Sequence, residues 1–184
     1  MPLILASASP RRAELLTSAG FTFEVAPADV DETPRPGEAP ASYALRVAGD
    51  KGRAGAAAHP GRTVLAADTV VAIDGLILGK PADAADAARM LGLLSGRVHE
   101  VHTAVVLRRG SLERTDLVTT RVRFQALSDA EVAWYVASGE PAGKAGGYAI
   151  QGLGARFIEW IEGSWSNVVG LPIAAVYRLL DRPE

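Results

Sequence analysis

The 184-residue sequence contains no cysteine, which excludes disulfide bonds, thiolate zinc sites, iron–sulfur clusters and a cysteine nucleophile. An excess of charge of one sign is also lacking, because 19 Lys and Arg residues are balanced by 21 Asp and Glu residues, for a formal net charge of −2. This balance argues against a protein that binds nucleic acid through a basic surface. The sequence also has no apolar run of membrane-spanning length. Its chemistry must therefore come from oxygen, imidazole and cationic groups.

The first residues lack the features of an export signal, since no charged segment precedes the apolar run and two arginines follow at positions 11 and 12. We therefore expect a cytoplasmic protein that does not associate with membranes. Hydrophobic residues make up 48% of the chain and charged residues 22%, as in globular proteins with a substantial core. At this length we expect residues 1–184 to form a single domain.

Strand and helix patterns are mixed along the chain and predict an α/β or α+β fold with a mixed sheet. Apolar runs predict strands at 3–6, 21–25, 63–73, 76–78, 98–107, 112–124 and 155–162. Helical periodicity and end signals predict helices at 10–19, 41–58, 83–94, 128–139 and 172–180. Asp74-Gly75 predicts a hairpin turn, and Ser128 with Glu131 forms a capping box. The proline-rich segment 29–40 predicts an exposed loop.

The turn between the first strand and the first helix is a candidate anion site. Ser9 before Pro10 predicts a capped helix start, where free backbone N–H groups and the helix dipole attract phosphate. Hydroxyl and guanidinium donors suited to a phosphate chain are supplied there by Ser7, Ser9, Arg11 and Arg12. An ordinary capped helix with two solvated arginines explains the same residues, and for this motif taken alone it is the favoured interpretation.

Asp68 interrupts the apolar run at 64–73. A carboxylate inside such a strand is costly unless it is paired, binds a metal or lies at the mouth of a site. A structural salt bridge would account for it, but we favour a functional role because perturbed carboxylates cluster at active sites. A phosphoaspartate phosphatase would need a second aspartate two residues later, where Val70 stands.

Lys80 follows a glycine and precedes a proline, an order that does not match a phosphate-binding P-loop. Taken alone, Lys80 and Lys51 are expected to be surface residues. Gln151, within the glycine-rich segment 143–152, could both donate to and accept from the imide edge of a pyrimidine base. His99 and His102 fall on opposite faces of a predicted strand and lack metal-ligand spacing, so we assign them no catalytic role.

Taken together, these segments resemble the Maf family, bacterial septum-formation inhibitors that are regarded as nucleoside triphosphate pyrophosphatases. The resemblance covers essentially the whole chain. In chain order its motifs are Leu5 to Arg12 with Glu14-Leu15-Leu16, Asp31-Glu32, Lys51, Ala67 to Val71, Gly79-Lys80-Pro81, Leu94-Ser95-Gly96 and Lys144 to Gly152. The ending Tyr-x-Ile-Gln-Gly resembles the branch that hydrolyses dTTP and UTP. Gly143 departs from that branch, which usually has Asp there.

The resemblance implies a two-lobed fold like that of inosine triphosphate pyrophosphatase, the Maf/Ham1 fold, with the nucleotide in a central cleft and often a homodimer. It also implies that Asp68 accepts a proton, and that substrate choice depends on Arg11, Thr69 and Gln151. Magnesium or manganese, held by oxygen ligands such as Glu32 and Asp68, would bridge the phosphates. Whether Asp31 takes part as well is left open.

In this interpretation water attacks the α-phosphorus and yields a nucleoside monophosphate and pyrophosphate. Charge on the departing pyrophosphate would be neutralised by Arg11, Lys51 and Lys80, while the turn at 7–12 holds the phosphate chain. We therefore expect hydrolysis of dTTP, UTP and their modified analogues. Two alternatives stay open: a 7-methyl-GTP pyrophosphatase, and a nucleotide-binding regulator of cell division.

Overall fold

The structure is a computed structural model that describes residues 2–181. Its strands are β1 (Leu3–Leu5), β2 (Phe23–Val25), β3 (Val64–Ile73), β4 (Leu76–Leu78), β5 (Val98–Arg109), β6 (Leu112–Phe124) and β7 (Ile158–Glu162). Its helices are α1 (Pro10–Ser18), α2 (Pro40–Ala58), α3 (Ala84–Leu94), α4 (Asp129–Ala137), α5 (Trp165–Val169) and α6 (Ile173–Asp181). Short 3₁₀ turns cover Ala145–Gly147 and Gly152–Phe157.

The predicted helices and strands form within a few residues of their expected bounds, with one clear exception. The last strand was expected from residue 155, but β7 begins at Ile158. Residues 152–157 form a 3₁₀ turn because Gly152, at a φ of 71°, redirects the chain before the strand can start. The capping box of Ser128 and Glu131 is present as predicted.

The seven strands form one mixed sheet in the order β2-β1-β3-β5-β6-β7, with β4 also paired to β3. The short strand β1 pairs in parallel with β3 at Val64 and Leu65 only. Strand β4 pairs in antiparallel with β3 from Val71 to Ile73. Within the described residues, the edge of β3 at 66–70 therefore has no strand beside it, although β5 pairs along the whole opposite edge. This gap opens the sheet at the position of Asp68.

Two hydrophobic clusters on one face of β3 flank the gap. Leu65 and Ala67 pack with the apolar sides of α1 and α6, whereas Val71 and Ile73 pack with α3 and α4. Between these clusters the same face carries Thr69 of β3 and Thr103 of β5, whose hydroxyl oxygens lie 2.9 Å apart, so the apolar core is divided into two lobes joined by β3 and β5. Burial of a leucine such as Leu65 stabilises the folded state by roughly 2 kcal/mol, and each cluster contains several fully buried leucines.

Helix α2 covers the other face of the sheet at close range. A Cβ atom at Gly55 would lie 2.9 Å from Val64 Cγ1, and one at Gly52 would lie 3.1 Å from Val106 Cγ1. These contacts explain why glycine stands inside an otherwise alanine-rich helix, where it lowers helix propensity. The close approach brings Lys51 of α2 over the middle of β3.

Candidate active site

A cleft of about 600 Å³ lies at the gap beside β3. The turn after β1 forms one wall, the loop after β4 forms the opposite wall, and residues 143–151 complete the rim. All ten residues that the sequence analysis selected line this cleft: Ser7, Ser9, Arg11, Arg12, Glu32, Lys51, Asp68, Thr69, Lys80 and Gln151. Asp31 does not line the cleft. Its carboxylate lies at a separate surface depression, where it accepts a hydrogen bond from the backbone N–H of Thr33.

Asp68 is nearly buried and is joined to a second carboxylate through one ammonium group. The Nζ of Lys51 lies 2.8 Å from Asp68 Oδ1 and 2.6 Å from Glu32 Oε1. Lys80 approaches from the rim, with its Nζ 3.9 Å from Glu32 Oε2. The second oxygen of Asp68, Oδ2, accepts no hydrogen bond from residues 2–181 and is left available in the cleft. Lys51, expected by default to be a surface residue, is buried.

The two carboxylates differ in proton affinity. Burial raises the pKa of Asp68, and the opposing effects of Lys51 and Arg12 do not cancel that increase. Burial also acts to raise the pKa of Glu32, but the hydrogen bond from Lys51 and the charges of Lys51, Lys80 and Arg12 together outweigh it, so the pKa of Glu32 is lowered. Asp68 is therefore the stronger base of the pair, as a proton acceptor requires.

Arg12 is buried and forms its hydrogen bonds with other groups of the protein. Its guanidinium donates to the Ser7 hydroxyl at 2.9 Å, to Thr69 Oγ1 at 3.1 Å and to the Gly170 carbonyl at 2.8 Å. Thr69 Oγ1 also lies 2.9 Å from Thr103 Oγ1. Three of the five guanidinium N–H groups thus join α1 to the turn after β1, to β3 and to the residue after α5, and burial lowers the pKa of Arg12. Arg12 also lines the cleft.

Arg11 and Ser9 present unused donors at the start of α1. The helix begins after Ser9, as predicted, but the Ser9 side chain makes no capping hydrogen bond, which corrects the expectation of a hydroxyl cap. Pro10 at the first helical position and an absence of acidic residues from the first turn leave the helix amino terminus open to an anion. The Arg11 guanidinium makes no hydrogen bond or ion pair with residues 2–181, and it lines the same wall.

The rim segment 143–151 contains features that sequence reasoning missed or left without a role. Lys144 lines the cleft, and burial together with the nearby charge of Arg11 lowers its pKa. The backbone N–H of Gly146 donates to the Gly79 carbonyl at 3.0 Å, which fixes the rim to the loop that carries Lys80. Gln151 is exposed within the cleft, and its side-chain amide is unpaired among residues 2–181.

Tyr43 and His99 each form a hydrogen bond with a residue that lines the cleft. The Tyr43 hydroxyl donates to the Glu32 carbonyl at 2.8 Å and holds the loop that carries this carboxylate. His99 Nε2 lies 2.7 Å from the Tyr148 hydroxyl, and burial lowers the pKa of His99 to about 3. His99 is therefore neutral at ordinary pH.

The charges of the cleft are opposite in sign to those of the whole chain. Five cationic side chains and two carboxylates line it, an excess of three positive charges in a protein of net charge −2: Arg11, Arg12, Lys51, Lys80 and Lys144 against Glu32 and Asp68. Cations focused in a cleft attract polyanionic ligands. The arrangement suits a phosphate chain held near one buried base.

The protein side chains of this cleft are too few to coordinate a divalent cation by themselves. Oxygen atoms of a bound substrate and of water would have to complete the coordination. No group of three or more His, Asp or Glu side chains suited to a metal occurs in residues 2–181. Magnesium is commonly bound through one or two carboxylates together with substrate phosphates and water. Glu32 and the free oxygen of Asp68 fit that donor set, since both face the cleft where phosphates would lie.

Comparisons with known proteins identify a matching family, similar sequences and one similar structure. A family model described as Maf-like protein matches residues 2–183. Proteins named dTTP/UTP pyrophosphatase from Anaeromyxobacter dehalogenans and Myxococcus xanthus are 55% and 54% identical to this chain. The alignments cover 98% of this chain and 93% and 91% of those proteins. The solved structure of the Staphylococcus aureus Ham1 protein aligns with a TM-score of 0.50 at 18% identity, covers 86% of this chain and 80% of that protein, and shows the same fold.

Proposed function

This chain belongs to the Maf family, and on that basis we propose that it is a nucleoside triphosphate pyrophosphatase that hydrolyses dTTP and UTP. The products are the nucleoside monophosphate and pyrophosphate. The observation that carries the proposal is the positively charged cleft with Asp68 at its centre, a buried base opposite cations suited to a triphosphate. Modified pyrimidine nucleotides that keep the same base edge would also be accepted.

Asp68 accepts the proton of the attacking water. The oxygen of that water forms a bond to the α-phosphorus, and the bond from the α-phosphorus to the bridging oxygen breaks, so that pyrophosphate leaves with the electron pair. The raised pKa of Asp68 supports this role, because a general base works best when its pKa approaches the operating pH. Lys51 keeps the carboxylate oriented through its 2.8 Å hydrogen bond.

The cations stabilise the charge that develops on the departing pyrophosphate. Arg11 and Lys80 lie on opposite walls of the cleft, so together they can contact both sides of a phosphate chain. Open N–H groups at the start of α1 add donors in fixed positions. Such preorganised electrostatic stabilisation is usually the largest contribution to phosphoryl transfer.

We propose that magnesium or manganese takes part, with Glu32 and Asp68 as its protein ligands. When bound, such an ion neutralises phosphate charge and polarises the oxygens of the substrate. Lys51 holds both carboxylates in the cleft before any ion binds, since its ammonium contacts each of them.

Gln151 would select the base. The imide edge of uracil and thymine presents an N–H donor between two carbonyl acceptors, and a side-chain amide matches it with one acceptor and one donor. The side-chain amide of Gln151 has no hydrogen-bond partner within residues 2–181. It lies at the rim of the cleft, from which it would reach the base of a bound nucleotide.

Pyrophosphate release with a nucleotide panel tests the proposal. We expect turnover of dTTP and UTP with a divalent cation, and little turnover of 7-methyl-GTP or other purine triphosphates. Preferred hydrolysis of 7-methyl-GTP, or tight triphosphate binding without pyrophosphate release under any divalent cation, would contradict it. The second result would favour a nucleotide-binding regulator.

The assembly and location of the protein are further parts of this proposal. Because the enzyme acts on soluble nucleotides, we place it in the cytoplasm, where those nucleotides are made. No helix in residues 2–181 is long and apolar enough to cross a membrane. We also propose a homodimer, which light scattering of the purified protein would detect as twice the mass of the chain.

A further inference from the structure

Glu140 lies outside the cleft, in the turn that follows α4, yet its carboxylate holds the segment that carries Gln151. Oε1 accepts hydrogen bonds from the Tyr135 hydroxyl at 2.8 Å and from the backbone N–H of Gly154 at 2.9 Å. Oε2 accepts from the backbone N–H of Leu153 at 2.9 Å. Burial acts to raise the pKa of Glu140, but these three hydrogen bonds and the charge of Lys144 outweigh it, and the pKa is lowered. The carboxylate is therefore ionised at neutral pH.

The Tyr135 hydroxyl extends this contact to the other end of the same segment. It accepts a hydrogen bond from the backbone N–H of Ala149 at 3.2 Å, and the Tyr135 side chain is fully buried in the core. One acid and one phenol thus hold the chain at residues 149, 153 and 154. Gln151 lies between these points, with its own side chain free in the cleft.

Two glycines allow the segment to lie this close to its anchor. A Cβ atom at Gly152 would stand 2.5 Å from Glu140 Oε2, and the φ of Gly152 is 71°. A Cβ atom at Gly154 would stand 2.5 Å from the Ala149 carbonyl oxygen and 2.7 Å from the Tyr135 hydroxyl oxygen. Real Cβ atoms do not approach so closely, so the backbone is shaped around the two anchoring side chains.

We propose that Glu140 and Tyr135 are positioning residues for base selection: by fixing the backbone of residues 149–154 they hold Gln151 where its side-chain amide meets the base edge at one place. This inference rests on the proposed function. An amide fixed in place distinguishes uracil and thymine from cytosine, because cytosine exchanges the donor and acceptor at the equivalent positions. On a loose segment the side chain can shift along the base edge and pair with either base. The anchor therefore controls selectivity more than the rate of the chemical step.

Three variants and one matched control test the inference. Glu140→Ala removes all three carboxylate hydrogen bonds, and Tyr135→Phe removes the hydroxyl while keeping the ring. Glu140→Gln keeps the shape but presents an amide N–H to one of the three donors. Glu131→Gln is the control, because Glu131 forms the capping box of the same helix and does not contact the segment.

The primary measurement is the ratio of kcat/KM for dTTP to that for dCTP. We expect Glu140→Ala to lower this ratio by about tenfold or more, mainly through a higher KM for dTTP, with kcat changed by less than about threefold. Glu140→Gln and Tyr135→Phe should give smaller losses in the same direction. Glu131→Gln should leave the ratio unchanged, even if it lowers the melting temperature.

Amide hydrogen exchange provides a readout that does not depend on turnover. The amides of Leu153 and Gly154 should exchange faster in Glu140→Ala than in Glu131→Gln. An unchanged selectivity ratio in Glu140→Ala, or unchanged exchange at these amides, would overturn the inference.

Calorimetric binding of dTTP and dCTP separates this inference from the proposed function. Wild-type protein that bound dTTP but released no pyrophosphate would refute the pyrophosphatase, and the binding ratio would then decide the role of Glu140. Wild-type protein that bound neither nucleotide would overturn both.

Discussion

Replacement of Lys51 by methionine probes the charge arrangement at the centre of the cleft. Methionine matches the lysine side chain as far as Cε but lacks the ammonium, whose nitrogen lies 2.8 Å from Asp68 Oδ1 and 2.6 Å from Glu32 Oε1. Breaking a buried ion pair from one side typically costs about 3–5 kcal/mol, because the other charge stays buried without a partner. Because Asp68 can be neutralised by taking up a proton, this range is an upper limit.

The loss of stability should therefore depend on pH. The pKa of Asp68, already raised by burial, rises further without Lys51, so folded Lys51→Met binds a proton more readily than the unfolded chain. A group whose folded pKa lies above its unfolded value adds stability as pH falls. The difference in unfolding free energy between wild type and variant should be largest near pH 8 and should shrink toward about pH 5.5.

Urea denaturation of both proteins across this pH range measures the effect. Arg53→Met is a suitable control, because Arg53 pairs with Asp50 on the exposed side of the same helix. Exposed pairs contribute at most about 1 kcal/mol, so this variant should differ little from wild type at any of these pH values. An equal loss of stability for Lys51→Met at both ends of the range would refute the reasoning.

Arg12, Gly146 and Asp68 can each be tested by a substitution or a pH profile. Arg12→Lys should lower the unfolding free energy by roughly 1–3 kcal/mol in urea denaturation, because a lysine cannot make the three fixed hydrogen bonds of the guanidinium. Gly146→Ala should be less stable than Gly143→Ala by about 1–3 kcal/mol, since both glycines have a φ of 70° but only a Cβ at the former would strike β3, at 2.9 Å. The log of kcat/KM should fall on acidification as Asp68 takes up a proton, with a midpoint above the usual carboxyl value of about 4. His99→Asn should leave that midpoint unchanged, because His99 is neutral throughout this range.

Local patterns in the sequence were sufficient to predict most of the secondary structure. The Asp74-Gly75 hairpin and the Ser128 capping box depend on contacts within a few residues, and both are present. The start of the last strand was misplaced because a glycine conformation at position 152 decides it, and the apolar pattern alone does not reveal that conformation.

The membership of the cleft was predictable, but its internal pairing was not. Motifs from distant parts of the chain selected ten residues that do line one cleft. The bridging position of Lys51 depends on how closely α2 packs on β3, and the internal role of Arg12 depends on contacts with residues far along the chain. Glu140 left no sequence signal of its own, although the glycines at 152 and 154 hint at a close backbone contact.

The gap beside β3 also escaped sequence reasoning, although its cause is simple. Strand β1 has three residues and β4 has three, whereas β3 has ten, so the two short strands cannot cover its edge. Strand lengths alone do not say where short neighbours pair. The register places them at the two ends of β3 and leaves Asp68 between them.

The central claim is that Asp68 accepts the proton of the attacking water, and Asp68→Asn tests it most directly. Asparagine keeps the shape and an oxygen acceptor for Lys51 but cannot take up the proton. We predict that pyrophosphate release from dTTP falls by about a hundredfold to ten-thousandfold, while the dissociation constant for dTTP changes by less than about threefold. A variant that releases pyrophosphate at nearly the wild-type rate would contradict the account.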